Sequence, residues 1–403
     1  MKTILQVSLL AMLLGGAGVA RAADEPLTLD AAIGLAVTAA PQLQAQQAAI
    51  EGAQASVIGA GRLPDPELVV GVDNLPSNGM DAWSFGRDFM TMRKVGLMQA
   101  LPSRQKRRSE QALARAQVAV AESTAIQVQL ELNQAVAQAW AARHAAEVAL
   151  QNLQQLQPQL ALQVELARAA VASGSAGASV SEALGAQAAA AELDDRLIEA
   201  RREIASAEAD LARWIGAVAA ARPMAPPPSF GDLHASAAEL LSSLHHHAAL
   251  LAFDARIAAA TSEIAVASAA KRPDVRTELN YATRGRGYSD MVSLQFQIAL
   301  PLFPGSRQGP AIEVKRAALR QVEADREAEL RLHTAEINRM LGEWQSAKDR
   351  VELYERDRLP LARERSELAL ASLRAGRMDV RQSLAVLSEQ ITVEQSYAEL
   401  LKT

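Results

Sequence analysis

The chain of 403 residues has no cysteine, which excludes disulfides, thiolate metal sites, thiol nucleophiles and a lipidated N-terminal cysteine. Aromatics are scarce at 3%, although apolar residues reach 49%. The apolar content is largely Ala, Leu and Val, which suits long helices packed closely through small side chains. Past the N-terminus, no apolar run approaches the roughly 18 to 20 residues that a membrane-spanning helix needs. The net charge of −5 leaves no basic excess for nucleic acid. Nucleophile elbow, His-Glu zinc helix and phosphate loop are missing too, so neither an enzyme nor a cofactor is expected.

What is present begins with Lys2, an apolar run from Ile4 to Val19, and Ala20-Arg21-Ala22, which has the small-x-small form of a secretory cleavage site. Residues 1–22 are therefore expected to be a signal peptide, whose removal takes Lys2 and Arg21 with it and leaves a net charge of −7.

The remainder reads as one unit written twice. Leu153 to Gly174 aligns with Tyr354 to Gly376, with Pro158 against Pro360 and Gly174 against Gly376, both 202 residues apart. Leu101-Pro102-Ser103-Arg104-Gln105 corresponds to Leu300-Pro301, then Ser306-Arg307-Gln308; Arg62-Leu63-Pro64-Asp65 corresponds to Lys271-Arg272-Pro273-Asp274. Two repeats of about 200 residues follow, 23–222 and 233–403, joined by a Pro-rich linker at 216–232. Each repeat is expected to hold a helix (28–60; 235–270), two strands (about 66–73 and 92–101; about 274–283 and 290–300), a long helix (105–172; 309–374) and a return helix (178–215; 378–402). At 1.5 Å per residue, each long helix would measure on the order of 100 Å.

The strands carry the membrane signal. Val292, Leu294, Phe296, Ile298 and Leu300 share one face against Ser293, Gln295 and Gln297; Val275, Thr277, Leu279 and Tyr281 alternate with Arg276, Glu278 and Asn280. Leu68, Val70 and Val72 alternate with Glu67, Gly71 and Asp73, whereas Gln99 breaks the pattern begun by Val95 and Leu97. Length and alternation match transmembrane barrel strands. Half of the fourteen aromatics fall in residues 64–103 and 271–307, as an interfacial girdle requires, although half-buried strands of a soluble sheet also favour aromatics. Four strands cannot close, and an open edge in lipid leaves each unpaired backbone group at a cost of several kcal/mol. Copies must then pool strands, eight from a dimer or twelve from a trimer, against the roughly eight at which membrane barrels begin.

In this duplicated order the whole mature chain resembles the TolC-type outer-membrane efflux channels. Leu63-Pro64-Asp65-Pro66, Asn74-Leu75-Pro76, Met90-Thr91-Met92 and Gln99-Ala100-Leu101-Pro102, followed by the basic Arg104-Gln105-Lys106-Arg107-Arg108, resemble the heavy-metal efflux branch more closely still. The resemblance implies a mainly α fold with membrane β: internally duplicated antiparallel helices forming a periplasmic tunnel, and four strands per chain in a twelve-stranded barrel of a homotrimer. It also implies an outer-membrane location in a Gram-negative bacterium, a periplasmic adaptor, an inner-membrane pump of the RND type, and heavy-metal cations as cargo. Drug efflux and type I secretion remain alternatives, and a periplasmic coiled-coil adaptor is the rival of another class. Two departures stand out: some relatives carry a lipidated cysteine and this chain has none, and Ser103 occupies the turn where the second repeat has Gly305.

By the same resemblance the turns containing Ser173, Gly174, Ser175, Gly177 and Gly376 form the periplasmic tip, where an adaptor docks. Asp379, with Arg374, Arg377 and Arg381 nearby, reads two ways: as inter-subunit Arg–Asp pairs gating the tip, or as an ordinary acid at a helix start. Pro158 and Pro360, each sixteen residues before a tip glycine, would kink the long helices and taper the tunnel. Pro64, Pro66, Pro102, Pro273 and Pro301 mark the membrane-boundary turns. His245-His246-His247 cannot converge on one ion from successive helical positions about 100° apart, and is expected to be a solvated run. Met80, Met90, Met92 and Met98 offer thioethers suited to Cu(I) but are expected to pack.

Overall fold

The computed structural model describes residues 25–174, 179–228, 235–285 and 287–402. The expected signal peptide and residues 229–232 of the expected linker lie outside them. The chain is mostly helical with one four-stranded antiparallel sheet. Helices α1 (Leu29–Ala39) and α2 (Pro41–Gly59) precede strands β1 (Glu67–Asp73) and β2 (Met92–Leu101), then the 69-residue helix α3 (Arg104–Ala172) and α4 (Val180–Ile215). After a short α5 (Ala217–Ala220) come α6 (Ala237–Ser243), α7 (Ala248–Ala269), β3 (Val275–Thr283) and β4 (Met291–Ile298). Helices α8 (Gln308–Leu353), α9 (Leu359–Arg374) and α10 (Val380–Leu400) complete the second half.

Three stretches expected as single helices are divided, each for a local reason. The helix at 28–60 breaks at Ala40, held extended at φ −65°, ψ 116° because the ring of Pro41 disfavours helical geometry in the residue before it. The helix at 235–270 passes through a 3₁₀ turn, Leu244–His246, and restarts where extended His247 caps α7, its Nδ1 accepting from Ala249 N–H at 3.4 Å. The long helix at 309–374 carries a π turn, Tyr354–Arg358, directly before Pro360, the residue whose ring nitrogen cannot donate to the helical ladder.

The chain forms two compact units. One comprises the described parts of residues 1–43, with 128–241 and 334–402. Its cores follow the helices: Leu132, Val136 and Trp140 pack on Leu211 and Ile215, and Trp140 Nε1 donates to Leu27 O at 3.0 Å. Leu153, Leu156 and Leu160 pack on Leu193, Leu197, Leu387 and Ile391. Contacts that ascend α3 while descending α4 define an antiparallel pair. Between α4 and α10 with the turn that follows it, the contacts are Glu182–Arg381 (3.7 Å), Arg196–Gln395 (3.2 Å) and Glu203–Lys402 (2.8 Å), which all share an offset of 199 residues. The two return helices thus lie parallel and in register.

The other unit comprises residues 44–127 and 242–333 and contains the sheet, a meander in the order β1-β2-β3-β4. The central β2–β3 pairing runs from Arg93↔Thr283 to Leu101↔Val275 and joins the two halves of the chain.

Candidate channel surface and helix tip

Alternation along each strand gives the sheet two chemically distinct faces. Register places Leu68, Leu97, Leu279 and Leu294 in one row across all four strands, with Val70, Val95, Tyr281 and Val292 in the next. Val275, Phe296 and Ile298 extend this face toward the Leu101 end. It is bare: Leu68 and Val292 are each 71% exposed, and Leu97, Leu294 and Phe296 are exposed as well. A shallow, almost wholly apolar depression runs over Leu68, Leu97, Leu279 and Val292. The opposite face carries Glu67, Asp73, Lys94, Met98, Glu278, Asn280, Ser293, Gln295 and Gln297. Gln99 lies on the apolar face as expected, but its Nε2 turns to Pro64 O (2.8 Å) and Ala100 O (3.0 Å), so its polarity is satisfied by backbone.

Gly96 and Asn280 form a register pair on the polar face. A Cβ at Gly96 would collide with Asn280 Oδ1 and lie 2.7 Å from Leu279 O, so the strand approach requires glycine here. Sequence reading passed over this pair, although an isolated glycine in a strand is the signal for such an approach.

At one end of the sheet residues 74–91 meet residues 284–285 and 287–290 through Gly86 and Gly285 and expose Trp83, Phe85, Phe89 and Tyr288, with Phe89 and Tyr288 rings 6.4 Å apart. Asn74 turns the chain out of β1 with a left-handed φ of 56°. Pro64, Pro66, Pro102, Pro273 and Pro301 all stand in the connections between helices and strands at the other end. There Asp274 ties the halves together, accepting from Ser103 N–H at 3.1 Å and from Lys106 Nζ at 2.9 Å. Burial opposes its charge, but those two hydrogen bonds and the fields of Lys106 and Arg276 hold the Asp274 carboxyl below its ordinary range. Its sequence counterpart Asp65 is exposed. Duplication marked the position, but not which copy would carry the contact.

The far ends of α3 and α9 reverse through left-handed glycines, Gly174 (φ 65°) and Gly376 (φ 67°). At Gly376 the cap is complete: Gly376 N–H donates to Leu373 O (3.0 Å) and Arg377 N–H to Ser372 O (2.9 Å). Ser173 Oγ donates to Ala170 O at 3.1 Å; Ser175 and Gly177 lie outside the described residues. A cluster of Ala167, Ala183, Ala186 and Val380, flanked by Val171 and Leu373, brings the two reversals together. Asp379 is the N-cap of α10, its Oδ1 accepting from Gln382 N–H at 2.7 Å, which is the capping reading. Arg381 faces Glu182, and among the described residues Arg374 and Arg377 form no ion pair within the chain. Pro158 lies inside α3 without ending it.

His245, His246 and His247 are exposed, and the rings of His247 and His333 lie 4.5 Å apart. No group of three or more His, Asp or Glu among the described residues is arranged to hold a metal ion. Among the described residues, no helix is long and apolar enough to cross a membrane.

The pattern of the family described as outer membrane efflux protein matches residues 32–217 and 240–403. No curated protein matches the chain. Among solved structures, the outer membrane protein VceC from Vibrio cholerae is 19% identical with a TM-score of 0.76, covering 93% of this chain and 92% of that one. CusC, whose structures concern folding and transmembrane channel formation, is 15% identical with a TM-score of 0.75 over 93% of this chain and 89% of that one. The CmeC outer membrane channel of Campylobacter jejuni is 12% identical with a TM-score of 0.76 over 93% and 82%. At these identities the likeness is one of fold.

Proposed function

Because the chain belongs to the outer membrane efflux protein family, we propose that it is the outer-membrane subunit of a tripartite efflux system, working as a homotrimer that conducts substrate passively to the exterior. The observation that carries this reading is the sheet: four strands with two open edges, a bare apolar face and a polar reverse. Pairing the edges of three copies satisfies the backbone groups that lipid cannot. It also turns the row of Leu68, Leu97, Leu279 and Leu294 toward acyl chains and the polar face toward a lumen. Trp83, Phe85, Phe89 and Tyr288 then stand at the outer interface, and the prolines of the opposite connections mark the periplasmic one.

The reversals at Ser173, Gly174 and Gly376 are the surface for a periplasmic adaptor, which links the trimer to an RND-type inner-membrane pump. Within the trimer, Arg374, Arg377 and Arg381 of one copy face Asp379 of the next and hold the tip closed; Pro158 and Pro360 taper it. Heavy-metal cations are the proposed cargo, on the resemblance of Leu63-Pro64-Asp65-Pro66 and Asn74-Leu75-Pro76 to the metal-efflux branch. Extraction should require detergent, and cross-linking in detergent should trap a trimer. A water-soluble monomer would reject the channel. Deleting the gene should sensitise cells to heavy-metal salts; sensitivity to drugs alone would reassign the cargo.

A further inference from the structure

We propose that Arg93 and Thr283 form a binding site for the phosphate of an outer-leaflet lipid. The site rests on the proposed outer-membrane barrel and names the lipid chemistry that its rim takes. Register puts Val72 opposite Arg93 and Arg93 opposite Thr283, the next row on the apolar face beyond Val70, Val95 and Tyr281. Among the strand positions of that face, Arg93 is the only one that carries a charge.

A cation on a lipid-facing surface is costly at the bilayer midplane and tolerated only near an interface. The 10 residues of β2 rise about 34 Å at roughly 3.4 Å each, and a tilt of about 40° leaves about 26 Å, close to the apolar band of about 25 Å that a barrel presents. Arg93, next to the end of β2 that adjoins Phe89, therefore stands at the outer border of that band, with its head free to reach the headgroups.

Nothing in the chain neutralises it. Arg93 is exposed and forms no ion pair among the described residues. The acids at this end of the sheet are engaged elsewhere: Asp73 with Lys94 at 3.1 Å on the polar face, Asp81 with Arg87 at 3.8 Å, Asp88 with the Thr91 hydroxyl at 3.4 Å, and Asp290 with the Tyr281 hydroxyl. Thr283, directly opposite Arg93, is half-buried, and its hydroxyl has no hydrogen-bond partner among the described residues. A guanidinium fork can donate to two oxygens of one phosphate, and the neighbouring hydroxyl can donate to a third. Directly below lies the apolar depression over Leu68, Leu97, Leu279 and Val292, which suits the acyl chains of the same molecule and favours a lipid over free phosphate.

The test is native mass spectrometry of the purified full-length trimer in detergent, titrated with diphosphorylated lipid A and with the same lipid freed of its phosphates. Wild type should hold the phosphorylated form about tenfold more tightly, as charge-assisted hydrogen bonds allow. R93Q should lose most of that preference, R93K should keep part of it because the charge stays while the fork goes, and T283V should weaken it less than R93Q does. Equal binding of the two lipids by wild type, or an unchanged preference in R93Q, would overturn the site and leave the trimer standing. Displacement of the lipid by millimolar inorganic phosphate would overturn the lipid assignment. If R93Q fails to assemble, the two lipids on wild type and on R93K decide the question. A wild-type chain that is a water-soluble monomer would overturn the channel together with the site.

Discussion

Gly96 and Asn280 show how one missing methyl group sets the contact between two strands. With Asn280 Oδ1 in the space where a Cβ would be built, Gly96→Ala must push the β2 and β3 backbones apart. It should cost about 1–3 kcal/mol, as overpacking does, and should lower the temperature at which the assembly dissociates in SDS. Asp274 offers a test in pH. Its pKa is lowered in the folded chain, so its contribution is present above the unfolded carboxylate value of about 4 and fades as pH falls through the folded value. Asp274→Asn should therefore be less stable than wild type at neutral pH, and the gap should close on acidification. Because Asp274 and Lys106 side chains are 36% and 33% exposed, the difference should be about 1 kcal/mol or less. Thermal melts at neutral and acidic pH would measure it.

At the scale of elements, the helix reversals separate two roles that one residue can play. Gly376 has open space around it but a φ of 67°, so Gly376→Ala adds strain without a clash and should cost about 1–2 kcal/mol, read as a lower melting temperature of the helical signal. Asp379 caps α10 whether or not it also gates. Asp379→Ser keeps a capping oxygen and removes the charge, whereas Asp379→Ala removes both. If Arg–Asp pairs between copies hold the tip shut, conductance should rise in Asp379→Ser, in Asp379→Ala and in Arg377→Ala with Asp379→Ala. Unchanged conductance in Asp379→Ser would leave Asp379 as a cap alone. The long helices and their glycine reversals were legible in the sequence because periodicity and Gly signals are local. The break at Ala40 was equally local, since Pro41 follows it, and was overlooked. The π turn before Pro360 was not legible, because its counterpart Pro158 lies inside an unbroken α3, so a proline at the matched position does not by itself say which copy takes the wider turn. Tyr397, hydrogen-bonded to Glu355 at 2.7 Å beside that turn, has its phenol pushed up to about 12 by burial first and by the carboxylate second.

For the whole molecule, the governing fact is a sheet that is complete in register and incomplete in closure. A single chain leaves the β1 and β4 edges open and its apolar face bare, so detergent removal should aggregate the protein, and light scattering on dilution below the critical micelle concentration would record it. The sequence by itself determined the duplication, the long helices, the strands and their two faces, since each follows from neighbours a few residues apart or from an internal copy 202 residues away. Tertiary structure alone decided which residues meet across strands and helices: Gly96 with Asn280, Asp274 with Lys106, Arg93 with Thr283, and the parallel seating of α4 on α10 at an offset of 199 residues. The physical reason is that periodicity assigns a residue to a face, whereas its partner on that face depends on register, and register is settled only when strands or helices pack.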